Sequence, residues 1–380
     1  MNRFSQQHGV AVITVLLALA IAVVISSEVI MRVYAGIRRS ENSFNSQQAW
    51  QYALGGEASA RQILAADFEK DKQVKVDHLL EDWAMPAQKI EIEGGSVKIE
   101  VYDAQARFNL NNLVDEKGII QSTQVRVFNR MLAYLGVRPI YADLAARWAS
   151  YANDADDQYA NDKTPYRPGD TQFGSVSELR QLRDIEMKEY KKMLPFISVL
   201  PAPVTVNINT ASEPVLAGLA GLAGGNPQQL SERLQAFLDR REQQKEGYPS
   251  AKTFISMMGI QDNTLEELLG VRSQYFEVRV IVEYNDRRCW LISTLFRDEE
   301  TGEISLLSRD TSQRFEFAID RLDNESDGSD KKNDKDKKKK DKNKDSSPDK
   351  WGGNDGKDDA SEPEEPDDMG NDKNQNGFGK

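Results

Sequence analysis

Apolar and polar positions along the chain fall into successive patterns. From Val10 to Ser27 eighteen residues carry no charge, enough for a helix that is apolar all round and crosses a bilayer. Beyond Glu28 the apolar side chains thin out but keep loose three- and four-residue spacing, at Ile30, Val33, Tyr34, Ile37, Phe44, Tyr52, Leu54, Ile63 and Leu64. No proline intervenes before Pro86, and Gly55-Gly56 weakens a helix without ending it. The spacing predicts one helix from about Val10 to Leu64, roughly 80 Å long at 1.5 Å per residue. Lipid would surround its first half, and protein would cover its amphipathic second half.

The period then falls to two. KIEIE (Lys89 to Glu93), Gly94-Gly95 and VKIEVYD (Val97 to Asp103) alternate apolar and charged residues about a tight turn, which predicts a β-hairpin. Ile90, Ile92, Val97, Ile99 and Val101 are its expected core face. Helical spacing returns from about Phe108 to Gly270, with one stripe at Val125, Phe128, Met131, Leu132 and Leu135 and another at Ile140, Leu144, Ala145 and Trp148. Further helices are expected over Ser212–Leu222, Pro227–Arg241 and Ser250–Met258. Ser175 with Glu178, and Thr210 with Glu213, have the spacing of capping boxes. Strand period resumes at YFEVRVIVEY (Tyr275 to Tyr284), with Phe276, Val278, Val280 and Val282 on one face, followed by CWLISTLF and EISLLS. A hairpin and a three-stranded meander are each small, so a single sheet interrupted by a helical insertion is the economical plan.

Composition narrows the chemistry. The 380 residues carry a formal net charge of −12, two histidines and one cysteine, Cys289. Ser-His-Asp, Cys-His and His-rich metal sites are thereby nearly excluded, and no intrachain disulfide can form. No enzymatic constellation stands out, so no catalytic residue is assigned. From Asp323 onward, lysine and acidic residues dominate and only Trp351, Ala360, Met369 and Phe378 are apolar; this stretch should be a disordered, charged tail.

Two stretches hold candidate chemistry. YANDADDQYANDKTPYRPGD gathers Asp154, Asp156, Asp157, Asp162 and Asp170 with Asn153 and Asn161, an oxygen-rich set of the kind calcium needs, although without EF-hand spacing. A solvated acidic loop is the alternative. VNINTASEPVLAGLAGL resembles helix-hairpin-helix stretches that grip DNA phosphates. Residues 201–270, however, hold eight acidic against five basic side chains, which favours a structural subdomain over a membrane-anchored DNA-binding protein.

Taken in order, HGVAVITVLL, RFNLNNL (Arg107 to Leu113), Trp148 before the acidic loop, DDQY…PYR…SVSELR and VNINTASEPVLAGL resemble a known family. It is the large minor pseudopilin of bacterial type II secretion systems, general secretion pathway protein K, and the resemblance covers most of residues 1–310. It implies an α+β, pilin-like fold, with a long N-terminal helix on a small antiparallel sheet and a large inserted all-α domain. The implied division is 1–9 prepilin leader, 10–31 transmembrane and assembly helix, and 32–106 rest of the helix with the first hairpin. It continues as 107–270 inserted domain and 271–322 closing meander, while the disordered charged tail, 323–380, lies outside the resemblance and is read from composition.

The resemblance also implies cleavage by prepilin peptidase between Gly9 and Val10, with methylation of the new terminus. An ordinary signal peptide would instead be cut near Ala18, Ala20 or Ala22. Most pilin-like subunits carry Glu at mature position five; here that position is Thr14, and the K-type members similarly lack the glutamate, which points to a tip subunit. The implied partners are other minor pseudopilins, the major pseudopilin and the inner-membrane assembly platform, with no nucleic acid. The family's acidic loop binds calcium, implying ligands among Asp154, Asp156, Asp157 and Asp162, although Ser150 and Ala152 stand where the family commonly has Asp. Arg32, Arg38 and Arg39 follow the span and only Arg3 precedes it, opposite to the usual charge rule for a periplasmic body. Inner-membrane anchoring with a periplasmic body is therefore an implication of the resemblance. A minor pilin of a type IV pilus is the related alternative.

Overall fold

The computed structural model describes residues 7–70, 76–151, 159–160, 165–201, 203–261 and 263–312. The leader before Gln7, most of the acidic loop with Asp154, Asp156, Asp157 and Asp162, and the tail from 323 lie outside them.

Helix α1 runs unbroken over Gln7–Lys70. It extends six residues beyond the expected Leu64, because Ala65, Ala66 and Phe68 continue a sequence with nothing to stop a helix. Strands β1 (Gln88–Ile92) and β2 (Gly95–Asp103) form the expected hairpin. After the insertion come β7 (Tyr275–Tyr284), β8 (Arg287–Arg297) and β9 (Ile304–Asp310). These five strands make one antiparallel sheet in the order β1-β2-β7-β8-β9. Asn285 and Asp286, with φ of 42° and 63°, turn the chain between β7 and β8, as a two-residue hairpin loop requires.

The front of α1 packs on this sheet through Ala49, Ala53, Gly56, Glu57, Ala60, Leu64 and Asp67, all buried. Opposite stand Phe276, Val278, Val280 and Val282 of β7, each fully buried, with Leu291, Leu295, Val97 and Val101. Small residues let helix and sheet approach closely: a Cβ on Gly56 would lie 2.9 Å from Val280 Cγ1 and 3.3 Å from Ile99 Cγ1. The expectation that Ile90 faces the core is corrected. It is 47% exposed, because α1 lies across β2, β7 and β8 and leaves the edge strand β1 largely uncovered; Ile92 and Ile99 are half-buried.

The insertion leaves after β2 and returns at β7. It contains α2 (Ser122–Tyr134), α3 (Ile140–Ala149), α4 (Met187–Met193), α5 (Glu213–Ala220), α6 (Pro227–Gln243) and α7 (Lys252–Met258). Two parallel pairings of two residues each interrupt the helices: β3 (Phe108–Asn109) with β4 (Ile197–Ser198), and β5 (Val206–Asn207) with β6 (Leu269–Gly270). Its core is separate from that of the sheet and includes Phe108 stacked on Phe128 at 4.8 Å. Val125, Phe128, Met131 and Leu132 are buried as their spacing predicts, and Leu135 packs at the margin. In α3, Ala145 and Trp148 are buried, whereas Ile140 at the first turn is 54% exposed.

Candidate functional site

The first thirty-odd described residues of α1 are exposed and make no hydrogen bond or ion pair to another element among the described residues. From Val10 to Phe44 the large apolar side chains are 52–70% exposed, Val10 itself 64%. Gly9 lies within the continuous helix. Thr14 Oγ1 donates to Ala11 O at 2.9 Å, so the one hydroxyl early in the apolar run satisfies itself within its own helix and demands no partner in a medium without water. Ile30, Val33, Ile37 and Phe44 lie on the side of α1 opposite to the sheet-facing stripe at Ala49, Ala53 and Ala60, given 100° per residue. The helix therefore has a front committed to its own sheet and, among the described residues, an uncovered apolar back nearer the N-terminus.

A second constellation sits where the insertion joins the sheet. Asp103, at the last position of β2, is buried and accepts from Gln105 N at 2.7 Å, Ser273 Oγ at 2.6 Å, Asn207 Nδ2 at 3.2 Å and Thr210 Oγ1. Burial pushes its carboxyl up to about 6, with the hydrogen bonds opposing the rise. Gln105 spans the same seam, donating to Thr205 O at 2.9 Å and accepting from Gln274 N at 2.6 Å. Arg107 pairs with Glu277 at 2.7 and 3.3 Å; burial raises that carboxyl, but Arg107 and Arg279 pull it down to about 2. Next to the seam, Arg297 donates to Asp77 and to Ser273 O at 2.9 Å and lies 3.7 Å from Asp67. Asp67, Asp77 and Glu81 bring carboxylate oxygens within 4.8 Å of one another and could hold a metal ion. Arg297 already supplies one positive charge there. Burial and the two aspartates push Glu81 up to about 9.

Sequence reasoning did not single out this seam, although one signal was present. Val97, Ile99, Val101 and Asp103 alternate along one face of β2, so a carboxylate stands at a core-facing position. The expected capping box at Thr210 is corrected: Ser212 precedes α5, the Thr210 hydroxyl is spent on Asp103, and Glu213 accepts from Tyr134 OH at 2.5 Å. The Ser175–Glu178 capping box does form, on the 3₁₀ helix Val176–Gln181.

Both asparagine-rich stretches serve the insertion's interior. Asn111 donates to Phe173 O and Leu200 O at 3.1 and 2.8 Å and accepts from Phe173 N at 2.7 Å. Asn112 makes the same paired contact with Val204, and Asn209 with Tyr248. These buried amides replace missing backbone partners of distant loops. In the stretch that resembles a DNA-gripping module, Asn207 and Asn209 are 0% and 1% exposed, so these two amides serve the interior.

The base of the acidic loop is built from aromatic rings. Trp148 meets Tyr159 edge-on at 5.4 Å, and Tyr166 packs against both at 5.0 and 6.3 Å. Asp170 N donates to Trp148 O at 3.0 Å and Tyr166 OH to Gln181 O at 2.7 Å. Both ends of the loop are thus pinned to the insertion's core.

Comparison with known proteins agrees with this architecture. The family described as "Type II secretion system (T2SS), protein K" matches residues 106–202. The type II secretion system protein K of Pseudomonas aeruginosa is 35% identical over 325 residues, spanning 81% of this chain and 93% of that protein. That of Aeromonas hydrophila is 30% identical, spanning 79% and 96%. In fold the chain is similar to one in the crystal structure of the GspK-GspI-GspJ complex from enterotoxigenic Escherichia coli, with a TM-score of 0.60 and 21% identity over 73% of this chain and 100% of that one. A long helix on an interrupted sheet and relatives spanned nearly end to end lead to one assignment: the chain belongs to the type II secretion system protein K family.

Proposed function

We propose that this chain is the tip subunit of the periplasmic pseudopilus, where it starts or caps assembly of the filament that exports folded proteins. It is a non-enzymatic role. The observation that carries it is the placement of bulk and adhesive surface at opposite ends. The apolar back of α1 is bare over its N-terminal half, while a domain of about 165 residues hangs from the far end of the sheet. Subunits can pack beneath such a molecule, but the insertion obstructs stacking above it. Thr14 fits the same reading, since a subunit with none above it has no neighbouring terminal amine to receive a glutamate.

On this reading prepilin peptidase removes residues 1–9 and Val10 becomes the methylated terminus. The helix first crosses the inner membrane with the body in the periplasm. It then packs among other minor pseudopilins and the major pseudopilin, with the assembly platform below. The E. coli complex of GspK with GspI and GspJ supports the choice of minor partners. The acidic loop, through Asp154, Asp156, Asp157 and Asp162, is proposed to bind calcium; its donors are hard oxygens, and its ends are anchored by the Trp148–Tyr159–Tyr166 cluster. Gold-labelled antibody against the inserted domain should mark isolated pseudopili at one end only. Label spread along their length would reject the tip assignment.

A further inference from the structure

Positive charge on the bare part of α1 is gathered in one place. No charge occurs from Val10 to Ser27. Glu28 then pairs with Arg32 one turn on at 2.5 Å, so those two cancel. Arg38 and Arg39 follow, and neither has a salt-bridge partner among the described residues. Arg38 Nε donates to Tyr34 OH at 3.1 Å, and its guanidinium lies 5.0 Å from the Tyr34 ring centroid. An amphipathic ring holding one arginine, with a second arginine next to it in sequence and only Glu41 nearby to offset the pair, is suited to a membrane–water boundary.

The spacing matches that boundary. From Val10 to Arg38 is 28 residues of helix, about 42 Å, the thickness of a bilayer including its headgroup layers. The body begins immediately beyond: the β7–β8 turn reaches α1 where Asn285 Nδ2 donates to Asn45 Oδ1 at 3.4 Å, about 9 Å past Arg39 along the axis. We propose that Tyr34, Arg38 and Arg39 form a collar that binds the phosphates of phospholipid headgroups in the leaflet facing the body, and so fixes the depth of α1. The proposal rests on the reading that α1 crosses the membrane. It accounts for the reversed charge asymmetry about the span, because headgroup phosphates are anionic in either leaflet and attract arginine there. It also gives a reason why apolar side chains at Val29, Ile30, Met31 and Val33 continue beyond the charge-free run: seated by the collar, these positions lie within the lipid boundary.

The test uses the full chain in nanodiscs, with Cys289→Ser and a spin label at Phe44→Cys or Ile21→Cys. Label depth is read from collisions with oxygen and a water-soluble nickel chelate, with phosphatidylglycerol present or absent. The Phe44 label should sit just outside the headgroups, and Arg38→Gln with Arg39→Gln should shift it by about one helical turn, roughly 5 Å. Depth in the wild type should respond to phosphatidylglycerol, and depth in the double variant should not. An unchanged Phe44 depth while the Ile21 label stays in lipid overturns the collar; an Ile21 label in water overturns the membrane-crossing reading instead. A depth shift that needs a second pseudopilin assigns the arginines to subunit carboxylates and likewise overturns the lipid collar.

Discussion

Buried amides and carboxylates carry more of this fold than its residue types disclose. Asn111, Asn112, Asn207 and Asn209 stand out in the sequence as repeated asparagines in two short stretches, but their use depends on backbone groups 39 to 130 residues away. Local pattern holds no trace of such partners. Thr210 makes the same point, since a capping spacing was legible and the hydroxyl went to Asp103 instead. At the acidic loop Asp154, Asp156, Asp157 and Asp162 lie outside the described residues, and calcium there is a proposal. Replacing Asp156 and Asp157 with Ala should lower the thermal midpoint by several degrees with calcium present and leave it unchanged in chelator. Equal loss in both conditions would remove the metal from the proposal.

For the elements, periodicity did most of the work. The 3.6-residue period of α1 from Ala49 onward and the two-residue period of β7 were readable because each buries one face against the other. Legibility failed at edges and first turns, as at Ile90 and Ile140, where position in the sheet or bundle, and not spacing, decides exposure. The glycine pair inside α1 gives a paired test. Nothing lies within 4 Å of a Cβ placed on Gly55, so Gly55→Ala should gain about 0.5–1 kcal/mol from helix propensity. The same methyl on Gly56 meets Val280 at 2.9 Å and should cost about 1–3 kcal/mol through forced repacking. Urea unfolding of each variant measures both, and equal effects would contradict the close approach of helix and sheet.

Considered whole, the described residues form two large hydrophobic cores, with a polar seam and a small third cluster of Ala104, Leu200 and Tyr275 between them. Two separate runs of strand pattern around a helical block were enough to anticipate the interrupted sheet, whereas the seam formed only when residues near 103, 207 and 273 met. Asp103 tests that seam. Its native carboxyl, raised to about 6 by burial against an ordinary 3.8, favours the folded state below about pH 4, and that contribution is lost as pH rises through 6. Asn carries no such proton. The stability difference between wild type and Asp103→Asn should therefore narrow by up to about 3 kcal/mol as pH rises from 4 to 7. A difference independent of pH would mean the carboxyl titrates normally and the seam is looser than it looks.

The strand order has a further consequence. Asp103 and Phe276, the last residue before the insertion and nearly the first after it, are direct partners across β2 and β7. The whole helical domain thus departs and returns across one rung of an antiparallel ladder, about 5 Å wide. Topologically it is an overgrown hairpin loop, a graft whose removal leaves a gap that a few residues could close. A subunit that stacks and a subunit that terminates a stack can then share one scaffold and differ by what is spliced into a single turn.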